Sequence, residues 1–198
     1  MKTPKLLALL ATFGAAAFFA VAADAPAPDA STAAPAAPAT YSVTLTSTHM
    51  CCGNCVKGAA NAVKGIDGVT AVGSQADKSI VVTAPDKATA QKAVDALTGA
   101  GFYGKSSSDD IKVSSDTGAT ATKVSSITIS NLHLCCGKCV TAVNGILSGV
   151  SGVTANDAKT GAKSFTVTGD FSPKDVMDAL QKGGLTGKVV ATVPEAKS

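Results

Sequence analysis

The 198-residue sequence contains no tryptophan, and aromatic residues make up only 4% of it. Any hydrophobic core must therefore be built from valine, isoleucine, leucine and alanine. Cores of this kind are small, so we expect domains of roughly 70 residues that are only modestly stable on their own.

Arginine is also absent, so that all 17 basic residues are lysines, and the formal net charge is only +3. The chain has no basic run and no ladder of aromatic residues, which are the features that mark nucleic-acid-binding proteins. It also lacks a nucleophile–base constellation, a carboxylate pair and a phosphate-binding loop. We therefore expect neither a nucleic-acid partner nor a conventional enzyme.

Cysteine and histidine are missing from almost the whole chain. All six cysteines and both histidines fall in two stretches of seven residues, His49–Cys55 and His133–Cys139, which begin 84 residues apart. A disulfide framework needs cysteines spread along the chain, where they can close long loops. The clustering instead favours two equivalent thiolate sites for a soft metal ion.

The N-terminus has the pattern of a secretory signal. Lys2 and Lys5 form a basic start, residues 6–20 are apolar, and Ala20-Val21-Ala22 is a small-residue cleavage site. No cysteine follows closely, so a lipoprotein is not expected. The pattern predicts a secreted or periplasmic protein, with a membrane contact only if this segment stays uncleaved as an anchor.

The rest of the chain divides into two similar halves joined and flanked by segments of biased composition. Proline and alanine dominate residues 24–40, which predicts an extended tether, and serine, threonine and aspartate enrich residues 109–122, which predicts a flexible linker. The expected organisation is a signal peptide (1–23), a Pro/Ala-rich linker (24–40), a first domain (41–108), a linker (109–122), a second domain (123–193) and a tail (194–198).

Each half has the hydrophobic periodicity of strand, helix, strand, strand, helix and strand. In the first, residues 41–46 alternate as in a strand, and apolar residues then recur at helical spacing from Val56 to Ile66. A hairpin around residues 76–78 follows, then a helix capped by Asp86 and a last strand over 102–106. The second half repeats this order. We therefore predict an α+β fold of two ferredoxin-like βαββαβ sandwich domains, each an antiparallel sheet with two helices on one face.

The Cys-x-x-Cys pairs, Cys52 with Cys55 and Cys136 with Cys139, fall where a predicted strand ends and a helix begins. Two cysteines three residues apart across the first helical turn can direct both sulfurs at one point. The free N–H groups and the positive end of the helix dipole favour the thiolate form, which is the form that binds metal. Thiolates select soft ions such as Cu(I), Zn(II) and Hg(II).

This arrangement resembles the heavy-metal-associated domain family of copper chaperones, metal-transporting ATPase modules and mercuric-ion-binding proteins. That family has Met-x-Cys-x-x-Cys between its first strand and first helix, and here residues 50–55 read MCCGNC and residues 134–139 read LCCGKC. The resemblance implies that Cys52, Cys55, Cys136 and Cys139 bind the metal. It also implies that Met50 and Leu134 anchor the loops in the core, and that a metal transporter or another metal-binding domain is the partner.

Both motifs depart from the family pattern in the same way. An extra cysteine, Cys51 or Cys135, precedes the first cysteine of each pair, and His49 or His133 stands where the family commonly has glycine. Each site could therefore supply a third thiolate and an imidazole, including a zinc-like set of three cysteines and one histidine. An exposed loop histidine and a spare thiol are the alternatives.

The predicted function is to bind, buffer or relay soft heavy-metal ions, with Cu(I) as the first candidate and Zn(II) or Hg(II) as others. Two alternatives use the same cysteines. One is a thiol–disulfide exchange module, which normally has a flanking aromatic residue and a single active copy. The other is a structural pair of disulfides, either within each motif or as a bridge between the two halves.

Overall fold

The computed structural model describes residues 40–194 of the chain. The predicted signal peptide, the Pro/Ala-rich linker up to residue 39 and the tail from residue 195 lie outside the described residues. Within the described part, the elements follow the order β1 (Tyr41–Thr46), α1 (Gly53–Val63), β2 (Thr70–Ser74), β3 (Ser79–Ala84), α2 (Lys87–Gly99), β4 (Lys105–Ser106), β5 (Val124–Ser130), α3 (Gly137–Leu147), β6 (Val153–Asn156), β7 (Ser164–Phe171), α4 (Pro173–Lys182) and β8 (Lys188–Pro194).

The strands form two four-stranded antiparallel sheets, with orders β2-β3-β1-β4 and β6-β7-β5-β8. In each sheet the first and third strands of the half lie side by side in the centre, as in a ferredoxin-like sandwich. The predicted fold class is thereby confirmed.

Alternating apolar residues on the central strands build the two cores. In the first domain Val43 lies opposite Val82 and Leu45 opposite Ile80, and all four side chains are buried. In the second, Ile127 lies opposite Val167 and Ile129 opposite Phe165, again buried. Because side chains alternate across a strand, these pairs lie on one face, where the two helices of each domain cover them.

Some differences from the sequence prediction lie at the ends of helices. Apolar residues at helical spacing predicted a first helix as far as Ile66, but α1 ends at Val63, and Ile66 lies in the turn that follows. Asp86 caps α2 as predicted, since its carboxylate accepts a hydrogen bond from the Thr89 N–H at 2.8 Å. Ser172 precedes Pro173 at the start of α4, but its side chain makes no capping hydrogen bond.

The last strand of the first domain is much shorter than predicted. Sequence alternation suggested residues 102–106, whereas β4 contains only Lys105 and Ser106. Phe102 pairs instead with Leu185 of the second domain in an isolated antiparallel bridge. Both side chains are fully buried, so this stretch joins two domains rather than extending one sheet.

The segment 109–122 lies against both domains, although its polar composition predicted a flexible linker. Its Ile111 side chain is buried, and the Gln91 side chain of α2 bonds both backbone groups of Lys112. Further on, the Thr117 carbonyl accepts a hydrogen bond from the Val189 N–H at 2.9 Å. Composition alone misses such packing because backbone groups of any sequence can form these bonds.

Among residues 40–194, no helix is both long enough and apolar enough to span a membrane. These residues belong to one compact unit, in which the two sheets are joined through the contacts described next.

Candidate metal centre

The two domains meet through the loops that carry the cysteine motifs and the loops that follow α2 and α4. Around the Phe102–Leu185 bridge, the Tyr103 N–H donates to the Gly184 carbonyl at 3.2 Å, and the Thr186 N–H donates to the Gly101 carbonyl at 3.1 Å. The contact is reciprocal, because equivalent loops of the two domains exchange equivalent bonds. This reciprocity gives the interface an approximate two-fold symmetry.

Glycine is required at the two points where these loops cross. Gly101 and Gly184 have positive φ angles of 90° and 78°, a region that favours glycine. A Cβ atom on Gly101 would meet the backbone of Asn131 and His133, and one on Gly184 would meet the backbone of the His49 loop. The close approach of the domains therefore depends on the absence of a side chain at both positions.

Each Cys-x-x-Cys pair spans the start of a helix, as predicted. Cys52 and Cys136 are the residues before α1 and α3 and are in extended conformation, with φ of −160° and −159°. Cys55 and Cys139 lie in the first helical turn and are fully buried. The extended residue followed by a helical turn brings the sulfurs of each pair together, at 3.7 Å in the first domain and 3.8 Å in the second.

Met50 and Leu134 anchor the two motif loops from below. Both side chains are buried, with 4% of their surface exposed. The Met50 methyl group occupies the space that a side chain at Gly73 would need. The core role that the family resemblance implied for these two residues agrees with this burial.

The sulfur atoms of the two motifs form one group rather than two. Six pairs of sulfurs from different domains lie 3.4–3.9 Å apart, with the shortest distance between Cys52 and Cys136. None of the six cysteines forms a disulfide. We call this group the six-cysteine cluster; its members are Cys51, Cys52, Cys55, Cys135, Cys136 and Cys139.

The extra cysteine of each motif belongs to the cluster as well. The Cys51 sulfur lies 3.6 Å from that of Cys55 in its own domain and 3.6 Å from that of Cys139 in the other. Cys135 makes the matching approach to Cys139 at 3.6 Å and to Cys55 at 3.5 Å. The motif loop therefore bends enough for all three sulfurs of each motif to face the same centre.

The histidines also reach the cluster, each beside the buried cysteine of the opposite domain. The ligand atoms of His49, Cys51 and Cys139 lie within 4.8 Å of one another. The His133 ring stacks on Phe102 at a centroid distance of 4.4 Å, and His133 helps to lower the pKa of Cys55. Both Nε2 atoms are buried and have no hydrogen-bond partner within residues 40–194. A buried nitrogen without a partner is unfavourable unless something binds it.

Hydrogen bonds between the cysteine side chains shift their pKa values in opposite directions. A hydrogen bond with the Cys139 side chain is the main cause that lowers the pKa of Cys55 to about 2, and the same hydrogen bond raises the pKa of Cys139. The Cys139 backbone N–H is the main cause that lowers the pKa of Cys136 to about 6, whereas burial raises the pKa of Cys51 to about 12 and also raises that of Cys135. The metal-free cluster therefore contains both thiols and thiolates, and hydrogen bonds connect them.

The donor set fits soft metal ions. Zn(II) binds thiolate sulfur at about 2.3 Å, and sulfurs bound to one such ion in trigonal or tetrahedral geometry lie about 3.8–4.0 Å apart. Ten pairs of neighbouring sulfurs in the six-cysteine cluster are 3.4–3.9 Å apart. Bound ions would need only a slight expansion of this arrangement.

A surface cavity leads to one side of the cluster. Its lining includes His49 and Cys51 of the first domain, together with Lys78 and Lys182. The two lysines give this opening a positive charge. It offers a route by which an ion can approach the thiols.

The residues that sequence reasoning missed are those that join the domains. Phe102 and Leu185 form the bridge at the interface, whereas the sequence pattern placed residue 102 in the last strand of its own domain. Tyr103 lines a separate cavity at the interface with Asp178 and Gln181 of α4. The paired glycines Gly101 and Gly184 were the one signal in the sequence that could have indicated close contact.

No protein-family model matches this chain, and no curated protein sequence matches it. Among solved structures, the apo heavy-metal-associated domain of the copper chaperone for superoxide dismutase is similar, with 22% identity over 48% of this chain and 93% of that chain, and a TM-score of 0.32. The N-terminal soluble domains of Bacillus subtilis CopA are 18% identical over 77% of this chain and 95% of that chain, with a TM-score of 0.26. The strand order of the two sheets, and not these likenesses, shows the ferredoxin-like fold.

Proposed function

We propose that the protein binds soft heavy-metal ions through the six-cysteine cluster and buffers or relays them outside the cytoplasm. One observation carries the proposal: six free thiols from two domains converge with sulfur separations of 3.4–3.9 Å. A structural role would not require so many reduced thiols in contact. Ionised thiolates in this number repel one another unless cations offset their charge.

Cu(I) is the proposed cargo, and Zn(II) and Hg(II) are the alternatives. Cu(I) accepts two or three thiolates and prefers them over oxygen ligands. Among residues 40–194, the groupings able to hold an ion contain sulfurs and imidazole nitrogens without any carboxylate. This donor set disfavours hard ions such as Mg²⁺ and Ca²⁺.

The location rests on the N-terminal sequence alone. Residues 1–23 have the pattern of an export signal, which supports a secreted or periplasmic site of action. A metal transporter or another metal-binding domain is the proposed partner, and the cavity beside Cys51 is where it would approach.

The test is an anaerobic titration of the reduced protein with Cu(I) against a competing chelator, with Zn(II) and Hg(II) in parallel. The matched control is the Cys52→Ser/Cys136→Ser variant, which removes one sulfur from each Cys-x-x-Cys pair. We expect tight Cu(I) binding that is strongly weakened in the variant. Equal binding by the two proteins would overturn the proposal.

Thiol–disulfide exchange is the competing function, and one observation favours it. The pKa of Cys136 is lowered to about 6, and a thiolate at neutral pH is what an attacking cysteine needs. Against it, Cys55 and Cys139 are fully buried, and no aromatic residue lies within either motif. Reduction of insulin disulfides by the metal-free protein at a rate well above that of free dithiol would favour this function.

A further inference from the structure

The neighbours of each sulfur in the six-cysteine cluster follow the pattern of an octahedron. In an octahedron every corner adjoins all the others except the one opposite. Apart from sequence neighbours, three pairs make no sulfur–sulfur contact within 4.0 Å, and we take them as the opposite corners: Cys51 with Cys135, Cys52 with Cys139, and Cys55 with Cys136. Adjacent sulfurs are 3.4–3.9 Å apart, except for the sequence neighbours Cys51–Cys52 and Cys135–Cys136, which are within 4.8 Å.

This geometry decides how many ions the thiols can hold. An octahedron has triangular faces, and ions placed over alternate faces contact every sulfur twice. Six thiolates that each bridge two ions supply twelve bonds, and these satisfy four ions with three bonds each. Cu(I) adopts such trigonal thiolate coordination, and soft thiolates select it.

One set of alternate faces coincides with groups of donors that already lie close together. Cys51, Cys52 and Cys136 form one such group, Cys52, Cys55 and Cys135 a second, and Cys135, Cys136 and Cys139 a third, each with ligand atoms within 4.8 Å. The fourth face of the same set consists of Cys51, Cys55 and Cys139, whose sulfurs are 3.6–3.9 Å apart. The Cys51–Cys139 edge of that face also has His49 within reach.

We propose that the two domains together hold a single tetranuclear Cu(I)–thiolate cluster built from all six cysteines, in place of one ion at each Cys-x-x-Cys pair. The inference rests on the proposed function and adds the number of ions, their sharing between domains and the role of the extra cysteines. Cys51 and Cys135 are opposite corners that complete the octahedron, so neither motif can form it alone.

The charge of such a cluster suits its surroundings. Four Cu(I) ions offset four of the six thiolate charges, which leaves a net negative cluster. The first turns of α1 and α3 contact it through Cys55 and Cys139, and helix N-termini stabilise negative charge. No acidic side chain lies in the first turn of either helix to oppose this effect.

The inference predicts a copper number that can be measured by mass. Reduced full-length protein would be titrated anaerobically with Cu(I), supplied as its acetonitrile complex, and examined by native mass spectrometry. We expect the metal-free protein and the four-copper form to dominate throughout, because shared thiolates make binding cooperative. X-ray absorption of the loaded protein should show short copper–copper distances.

The control variant is Cys51→Ser/Cys135→Ser, which keeps both Cys-x-x-Cys pairs. We expect it to bind two copper ions or fewer and to lose the copper–copper signal, while its circular dichroism stays that of the parent. If the parent protein binds one or two ions without copper–copper scattering, the cluster is overturned and the proposed metal-binding function stands. If the parent binds no Cu(I) above the Cys52→Ser/Cys136→Ser control, both fall together.

Discussion

At the scale of single residues, the main feature is that some cysteines of the cluster have raised pKa values. Burial raises the pKa of Cys51 to about 12, and the hydrogen bond between the Cys55 and Cys139 side chains raises the pKa of Cys139. At neutral pH these groups are thiols, and each must lose its proton before it can bind an ion. Metal binding is therefore coupled to proton release.

The first prediction follows from this coupling. Between about pH 6 and about pH 8 the apparent Cu(I) affinity should rise, by about tenfold per pH unit for every proton displaced. The sign is set by the raised pKa values, since protons compete with the metal until the pH exceeds them. Chelator competition at several pH values measures the slope, which should be smaller in Cys51→Ser. An affinity that does not change with pH would contradict the idea.

A second prediction concerns the buried histidine nitrogens. His133→Leu removes an Nε2 atom that has no partner and keeps an apolar contact with Phe102. The stability of the metal-free protein should change by less than about 1 kcal/mol, because the loss of ring packing is offset by relief of an unsatisfied polar group. Copper should dissociate severalfold faster from the variant, because it lacks the imidazole that lies beside Cys55. Unfolding curves and chelator-driven release separate the two effects, and unchanged release would rule out His133 as a ligand.

At the scale of elements, the segment between the domains has more structure than its composition suggests. The Gln91 side chain of α2 binds the backbone of Lys112, and the Thr120 carbonyl accepts a bond from the Lys174 N–H at 2.9 Å. Between these points the chain passes from the second helix of one domain to that of the other. The segment therefore restricts how far the domains can separate.

The third prediction tests this packing through Ile111, which is buried with 2% of its surface exposed. Ile111→Ala should lower the free energy of unfolding by about 2–5 kcal/mol, since it leaves a cavity in place of a buried side chain. Asp109→Ala, at an exposed position of the same segment, should have little effect. Chemical denaturation measures both, and equal stabilities would mean that the segment does not pack in solution.

At the scale of the whole molecule, the site exists only while the two domains are in contact. The bridge between Phe102 and Leu185 and the crossing at Gly101 and Gly184 bring the motifs together. A side chain at either glycine would need the space that the opposite motif loop occupies. The interface should therefore be sensitive to very small substitutions.

The fourth prediction is that Gly101→Ala/Gly184→Ala separates the domains. We expect a larger radius of gyration in small-angle scattering and a fall in bound copper from four ions to two or fewer. Gly161→Ala is the matched control, because Gly161 also has a positive φ, of 77°, but has open space where the Cβ would lie. The double variant and the control each carry a local cost of about 1–2 kcal/mol for every alanine placed in a left-handed backbone conformation. If the control separates as well, local strain and not the crossing explains the result.

The sequence by itself determined the order of the elements and the chemistry of the site. Alternation in β1 and helical spacing in α2 are local patterns, and Asp86 signals a helix start within a few residues. The two cysteine motifs likewise identify soft-metal ligands from residue type and spacing alone. Helix ends such as that of α1 were less certain, because turn geometry competes with periodicity there.

Only the tertiary structure decided that the two motifs form one cluster. Their meeting depends on residues distant in the sequence, such as Phe102 beside Leu185 and Gly184 beside the His49 loop. Whether the two domain surfaces fit together depends on pairs of residues that are far apart in the sequence. Local patterns of hydrophobic and polar residues do not reveal such pairs. For the same reason the sequence left the extra cysteines open as ligands or spare thiols, while the assembled domains bring their sulfurs within 3.5–3.8 Å of thiols in the opposite domain.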